Sequence, residues 1–240
     1  MTICVEAKNL TKKYGGKIVV KGLSFSVKAG EVFGLLGPNG AGKSTTIECL
    51  LGIRKLDAGE AKIFGSNPRK NRQTVFQKVG VQLQSSSYQD MIRVQELCEE
   101  MASLYEAPRD YRELLTLFGL EPFLKQKVAD LSGGQRQKLS IILALIPQPQ
   151  VIFLDELTTG LDTEARREVW QTLLDLKKQG LTIILTTHYM EEAEMLCDRV
   201  FLIKDGQKVI TGEVEEVIQQ TMYDNLEEAY LFYMGGNKHA

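Results

Sequence analysis

Histidine, paired cysteines, excess charge and long apolar runs are all scarce in this chain of 240 residues, and each scarcity excludes a class of function. There are two histidines and four cysteines. Cys4, Cys49, Cys98 and Cys197 stand far apart, with no C-x-x-C pair and no histidine cluster nearby, which argues against a disulfide framework or a zinc site. They read as reduced thiols of a cytoplasmic protein. Lys and Arg total 29 against 31 Asp and Glu, and the resulting charge of −2 predicts no general attraction to nucleic acid or anionic lipid. The longest uninterrupted apolar run, residues 141–146, falls far short of the ~20 residues that a spanning helix needs. No transmembrane segment is expected. Met1-Thr2-Ile3-Cys4-Val5-Glu6 lacks the charged and apolar regions of a signal peptide, so nothing suggests export of the chain itself. With 43% hydrophobic residues the chain can still bury a substantial core, and its length suits one large domain or one domain with lobes.

What is present is organised around Gly37, Pro38, Asn39, Gly40, Ala41, Gly42, Lys43, Ser44 and Thr45. The stretch fits the phosphate-binding loop pattern G-x-x-x-x-G-K-[ST], with the apolar run Val32-Phe33-Gly34-Leu35-Leu36 before it and a helix-compatible segment after it. Glycines let successive backbone N–H groups turn inward, where they cradle phosphate oxygens at the positive end of the following helix. Lys43 is expected to reach the β- and γ-phosphates, and Ser44 to offer its hydroxyl to Mg²⁺.

Upstream, Ile3, Val5 and Ala7, then Leu23, Phe25 and Val27, alternate with polar neighbours. This predicts a half-buried antiparallel sheet of short strands, broken by Tyr14-Gly15-Gly16. Further strands are expected near residues 59–64 and 79–81. From Ser85 the period changes: Val94, Leu97, Cys98, Met101 and Leu104, then Tyr111, Leu114, Leu115 and Phe118, recur at helical spacing. This predicts a helical lobe of about fifty residues, counted on that periodicity. Another helix is expected from Ser132 to Pro147. Val151-Ile152-Phe153-Leu154 is apolar on both faces, as buried parallel strands are, and strands alternate with helices from there to Val209. The remainder through Tyr233 reads as helical.

Asp155 and Glu156 follow that buried strand, at the edge where ligands bind in open α/β sheets. Asp155 can complete the Mg²⁺ shell begun by Ser44, and Glu156 can polarise a water for attack on the γ-phosphate. Leu131-Ser132-Gly133-Gly134-Gln135 has the S-x-x-Q spacing of a capping box. It also forms a helix N-terminus with two glycines and a hydroxyl, a second anion site for which one phosphate loop has no need. The inference is a site for the nucleotide held by another subunit.

Taken together, these motifs resemble the ATP-binding subunit of an ABC (ATP-binding cassette) transporter, with residues 131–135 similar to the family's signature motif. The resemblance covers nearly the whole chain. It implies an α/β fold with a P-loop NTPase (RecA-like) core, an antiparallel β subdomain and an inserted helical subdomain. The implied division is a single domain over residues 1–234: 1–84 and 148–212 as core and β subdomain, 85–147 as helical subdomain, 213–234 as C-terminal helices, and 235–240 as a tail. Tyr14 resembles the aromatic that stacks on adenine, and residues 37–45 the Walker A loop. Gln84 fits the Q-loop glutamine that links Mg²⁺ and water to the helical lobe, with Gln82 as the competing assignment. Asp155 and Glu156 are similar to Walker B and the catalytic base, Asp162 to the D-loop, and His188 to the switch histidine. Ser132, Gly133, Gly134 and Gln135 are implied to act in trans. ATP and Mg²⁺ are the implied cofactors.

Two departures stand out: Leu157 occupies the place of a usual proline, and Leu143 that of a frequent arginine. Leu157 is expected to loosen the turn after Glu156. The implied partners are a membrane permease supplied as separate chains, docked near residues 84–96, and a second cassette, identical or different; nucleic acid is not expected. The chain would then sit on the inner face of the cell membrane through that permease. Residues 186–194 and the acidic C-terminal helix resemble the subgroup serving ABC-2 type exporters. The rival readings are a soluble ABC ATPase acting on the ribosome or DNA, and a regulatory subunit that binds ATP with little turnover.

Overall fold

In the computed structural model, residues 2–83, 88–89 and 91–235 are described. Strands β1 (Ile3–Tyr14) and β2 (Lys17–Lys28) pair antiparallel across the turn at Gly15-Gly16. They are not the short strands expected, since each runs 12 residues. Register shifts absorb the breaks in alternation; at one of them Asn9 takes a left-handed backbone (φ 50°) and its N–H donates to Ser24 Oγ at 2.8 Å. A strand interrupted in its polarity pattern therefore continues as a bulged one. After β3 (Val32–Leu36) and α1 (Lys43–Leu50), β4 (Ala58–Ile63) joins the other edge of β1, giving a three-stranded sheet of order β2-β1-β4.

Following α2 (Arg72–Phe76) and β5 (Val79–Gln82), the chain leaves the sheets for α3 (Val94–Ser103), α4 (Tyr111–Leu117) and α5 (Gly133–Leu145). Leu97, Cys98, Leu114, Leu115 and Phe118 are buried here, as their spacing predicts, whereas Leu104 falls just past the end of α3 and is exposed. Of the two apolar residues at the entrance to this lobe, Met91 is exposed and Ile92 packs on the core. Helix α5 ends before Pro147: Ile146 still has helical backbone and donates to the Ile142 carbonyl at 3.1 Å, but Pro147 has no N–H with which to continue the ladder. A close approach joins lobe and sheet: a Cβ on Gly80 would lie 2.1 Å from the Ala144 carbonyl oxygen, so only glycine lets α5 lie on β5.

The return brings β6 (Val151–Asp155), α6 (Thr163–Lys178), β7 (Thr182–Thr187), α7 (Met190–Leu196), β8 (Arg199–Lys204) and β9 (Gln207–Glu213). A six-stranded sheet results, in the order β5-β6-β7-β3-β8-β9, parallel except for the β8/β9 hairpin. Its central strands are covered on both faces, which explains their unbroken apolar runs. Ile152, Leu154, Ile183 and Leu185 face one core with α5, α6 and α7, while Phe153, Ile184, Phe33 and Phe201 face the other with α1 and the three-stranded sheet. Trp170 on α6 is buried and donates from Nε1 to Glu192 Oε1 of α7 at 3.1 Å. Two helices, α8 (Val214–Gln219) and α9 (Leu226–Tyr233), close the described chain. The expected tail lies, Gly235 apart, outside the described residues.

Candidate functional site

Parallel pairing decides where the chemistry collects. Leu36 of β3 pairs with Thr187 of β7, and Asp155 of β6 pairs with Thr186. The C-terminal ends of three neighbouring strands thus deliver the glycine loop, Asp155-Glu156 and His188 to one edge of the sheet. Gly42, at the start of α1, holds φ 102°, and a Cβ there would come within 2.9 Å of the Val19 carbonyl oxygen. The loop can therefore nestle under β2 only with glycine at this position.

Lys43 is buried and braces the loop, donating from Nζ to the carbonyls of Gly37 at 2.8 Å and Pro38 at 3.2 Å. Burial holds its ammonium below the usual lysine range, opposed by the negative charges of Glu156 and Asp155. Ser44 Oγ donates to Asp155 Oδ1 at 3.2 Å, and the Thr186 hydroxyl donates to the same oxygen. The Asp155 carbonyl accepts from Gln82 Nε2 at 3.3 Å. Glu156 has a left-handed backbone (φ 52°) and donates its N–H to the carbonyl and hydroxyl oxygens of Thr186, each at 3.1 Å. His188 Nδ1 lies 3.8 Å from Glu156 Oε1. The imidazole packs on Tyr189 (4.2 Å between centroids), whose ring carries the Arg166 guanidinium at 4.7 Å.

Of these groups Lys43, Ser44 and Glu156 line a cleft of about 370 Å³, together with Val19, Asn39, Gly40, Gly42 and Thr45. Two roomier clefts, of about 570 and 610 Å³, flank α6 and contain neither the loop nor the paired acids. The site is therefore identified by its chemistry rather than by its size.

Several expected residues lie elsewhere. Tyr14 is exposed at the end of β1, with Lys12 Nζ 5.2 Å from its ring centroid, and it does not line this cleft. Nor do residues 132–135, which start α5. There Ser132 Oγ accepts from Gln135 N at 3.2 Å and Gln135 Oε1 accepts from Ser132 N at 2.9 Å, a complete capping box. Asp162 caps α6 by accepting from Ala165 N at 2.9 Å. Gln84 lies outside the described residues, while Gln82 is buried against Asp155. Leu157 does not hang loose as its substitution for proline suggested: it is fully buried, and its carbonyl accepts from Gln137 Nε2 at 2.6 Å. Leu143 is core. The sequence reading missed Val19 and Thr186, both of which reach the site through strand pairing.

Among the described residues no three His, Cys, Asp or Glu side chains converge as a metal cage. The donors present are one carboxylate beside one hydroxyl, hard oxygens that suit an Mg²⁺ whose remaining ligands are phosphate and water.

A glycine loop entering a helix, beside an Asp-Glu strand end on a parallel sheet, defines a P-loop nucleoside triphosphatase. A family profile described as ABC transporter matches residues 20–159. Nod factor export ATP-binding protein I of Burkholderia orbicola (strain AU 1054) is 40% identical, over 94% of this chain and 76% of that protein. A linearmycin resistance ATP-binding protein of Bacillus subtilis (strain 168) is 38% identical, over 87% of this chain and 68% of that protein. Among solved structures, an ATP-binding subunit of an ABC transporter superposes with a TM-score of 0.88 at 27% identity, covering 96% of this chain and 99% of that one. A dimeric bacterial ABC transporter cassette gives 0.78 at 26% identity, covering 87% and 98%. The chain belongs to the ABC transporter family, as an ATP-binding subunit. No helix among the described residues is long and apolar enough to cross a membrane.

Proposed function

We propose that this chain is an Mg-ATP-hydrolysing subunit that powers export through a separate membrane permease, by ATP-driven head-to-tail dimerisation of two cassettes. The observation that carries the reading is the Glu156 carboxylate on the wall of the phosphate cleft, with His188 Nδ1 3.8 Å from it. Backbone N–H groups of the loop and Lys43 bind the phosphates, and Lys43 exchanges its two carbonyl partners for phosphate oxygens. Ser44 and Asp155, with Gln84, would hold Mg²⁺, which when bound would supply positive charge against the phosphates. Glu156 orients and deprotonates the attacking water, and His188 reaches toward the γ-phosphate from the neighbouring strand end. Tyr14 stacks on adenine. A second cassette supplies Ser132, Gly133, Gly134 and Gln135 to close the site, with Asp162 near the crossing point. The permease docks on the helical lobe near residues 84–96 and holds the chain at the membrane. The export direction is supported by the names of the relatives, one an export and one a resistance protein.

Glu156→Gln keeps shape and hydrogen bonding but removes the base. It is expected to cut hydrolysis by ~10²-fold or more. ATP-bound dimer should accumulate on size-exclusion chromatography. A variant that turns over ATP at the normal rate removes Glu156 from its role.

A further inference from the structure

Gln137 belongs to α5, beyond the capping box, and its side chain leaves the helical lobe to meet the turn that follows the catalytic strand. Its Nε2 donates to the Leu157 carbonyl at 2.6 Å, a contact between residues 20 apart in sequence and on different lobes. Leu157 is the residue after Glu156, and its side chain is fully buried, so its peptide cannot shift without unpacking core. On the other side of Glu156, the N–H is held by Thr186 of β7. Glu156 is therefore pinned from the sheet on one side and from the helical lobe on the other. Its φ of 52° is a conformation that a non-glycine residue keeps only where its surroundings impose it. Downstream the same turn continues through Thr159 N to the Glu156 carbonyl at 3.3 Å and Leu161 N to the Thr158 carbonyl at 3.1 Å, ending at Asp162.

We propose that Gln137 is a positioning residue for Glu156, tying the tilt of α5 to the aim of the carboxylate in the same chain. The inference rests on the role given to Glu156 above. A pull on the helical lobe, whether from the permease or from a nucleotide on Ser132, then reaches Glu156 through one hydrogen bond. Misplacement of a reacting group by a fraction of an ångström is costly because proximity and alignment supply much of the rate.

Gln137→Met keeps the length of the side chain and removes the donor; Gln137→Lys restores a donor nitrogen. In steady-state ATP hydrolysis, Gln137→Met should lower kcat about tenfold with KM within about twofold, and Gln137→Lys should recover most of the loss. In the Glu156→Gln background, adding Gln137→Met should slow single-turnover hydrolysis no further, because the group being aimed is gone. Hydrogen exchange of the full chain gives a readout independent of turnover: amides of Thr159 and Leu161 should exchange faster in Gln137→Met, with those of β6 unchanged. Wild-type kcat with unchanged exchange, or a full additive loss in the Glu156→Gln background, overturns the proposal. An inactive Glu156→Gln beside a normal Gln137→Met refutes Gln137 alone. Normal turnover by Glu156→Gln refutes the role of Glu156 and this inference with it.

Discussion

Burial governs the chemistry of single residues throughout the chain, and the thiols show it most directly. Cys4, Cys49, Cys98 and Cys197 are all buried. Burial pushes the Cys49 thiol up to about 11, with Lys12 pulling it back, and the Cys98 thiol up to about 12, with Glu99 adding to the rise. In the unfolded chain these thiols ionise near their ordinary value of 9.0. Above that pH the unfolded state binds fewer protons than the folded one, so their contribution is intact below pH 9 and falls as the pH rises toward the folded values. Each thiol should cost about 1.4 kcal/mol per pH unit across that window. Urea midpoints at pH 8 and pH 10 test this: the drop should shrink in a Cys49→Ala, Cys98→Ala double variant. A thiol reagent at pH 8 should label the native chain slowly and the denatured chain at once; rapid native labelling would contradict the assignment. Residue types such as Lys43, Ser44, Asp155 and Glu156 were legible in the sequence because phosphate chemistry demands them at fixed spacing. Thr186 was not, since a threonine becomes a partner of Asp155 only once β6 and β7 are neighbours, and no local signal reports that pairing.

Helix α5 is the element in which stability and function are most closely superimposed. Its first turn is satisfied within the chain by the reciprocal bonds between Ser132 and Gln135, while Ser132 and Gly133 remain exposed to whatever approaches. Ser132→Ala removes the cap and should cost about 1 kcal/mol, or roughly 2–4 °C in Tm for a chain of this size. Ser132→Asp separates the two roles, because aspartate caps as well as serine but brings a negative charge to the proposed γ-phosphate contact. It should keep the wild-type Tm and monomeric ATP affinity yet abolish ATP-driven dimerisation; retained dimerisation would leave the capping role alone. Such elements were readable in proportion to how local their causes are. The apolar runs of β6 and β7 and the S-x-x-Q spacing announce themselves. The length of β1 and β2 does not, because it depends on Asn9 meeting Ser24 across the ladder. The hydrogen bond from Gln137 to Leu157 depends in turn on the seating of α5 over Gly80.

At the scale of the whole molecule, the cleft and the start of α5 are two halves that do not meet within one chain, since none of residues 132–135 lines the phosphate cleft. A head-to-tail pair of identical chains would put each half against its complement and produce two sites. That geometry makes a prediction which no single-chain site shares. Lys43→Ala removes the phosphate ligand and Ser132→Asp the closing face, so each variant alone should have no working site. Mixed in equal amounts, half of the pairs should be hybrids. In each hybrid the intact loop of the Ser132→Asp chain faces the intact signature segment of the Lys43→Ala chain, so one site of two is whole. Hydrolysis by the mixture, measured with the permease present, should recover to about a quarter of the wild-type rate if the two sites act independently, and to less if they fire together. Because the working site combines loop and signature from different chains, a chain carrying both substitutions, mixed equally with wild type, should leave hybrids without a whole site and a rate of about a quarter of wild type, rather than the half expected if each chain held a complete site. Absence of recovery in the first mixture would mean that the second cassette is a different protein or that the halves do not meet, and cross-linking between residue 43 and residue 132 of two copies would distinguish these two outcomes.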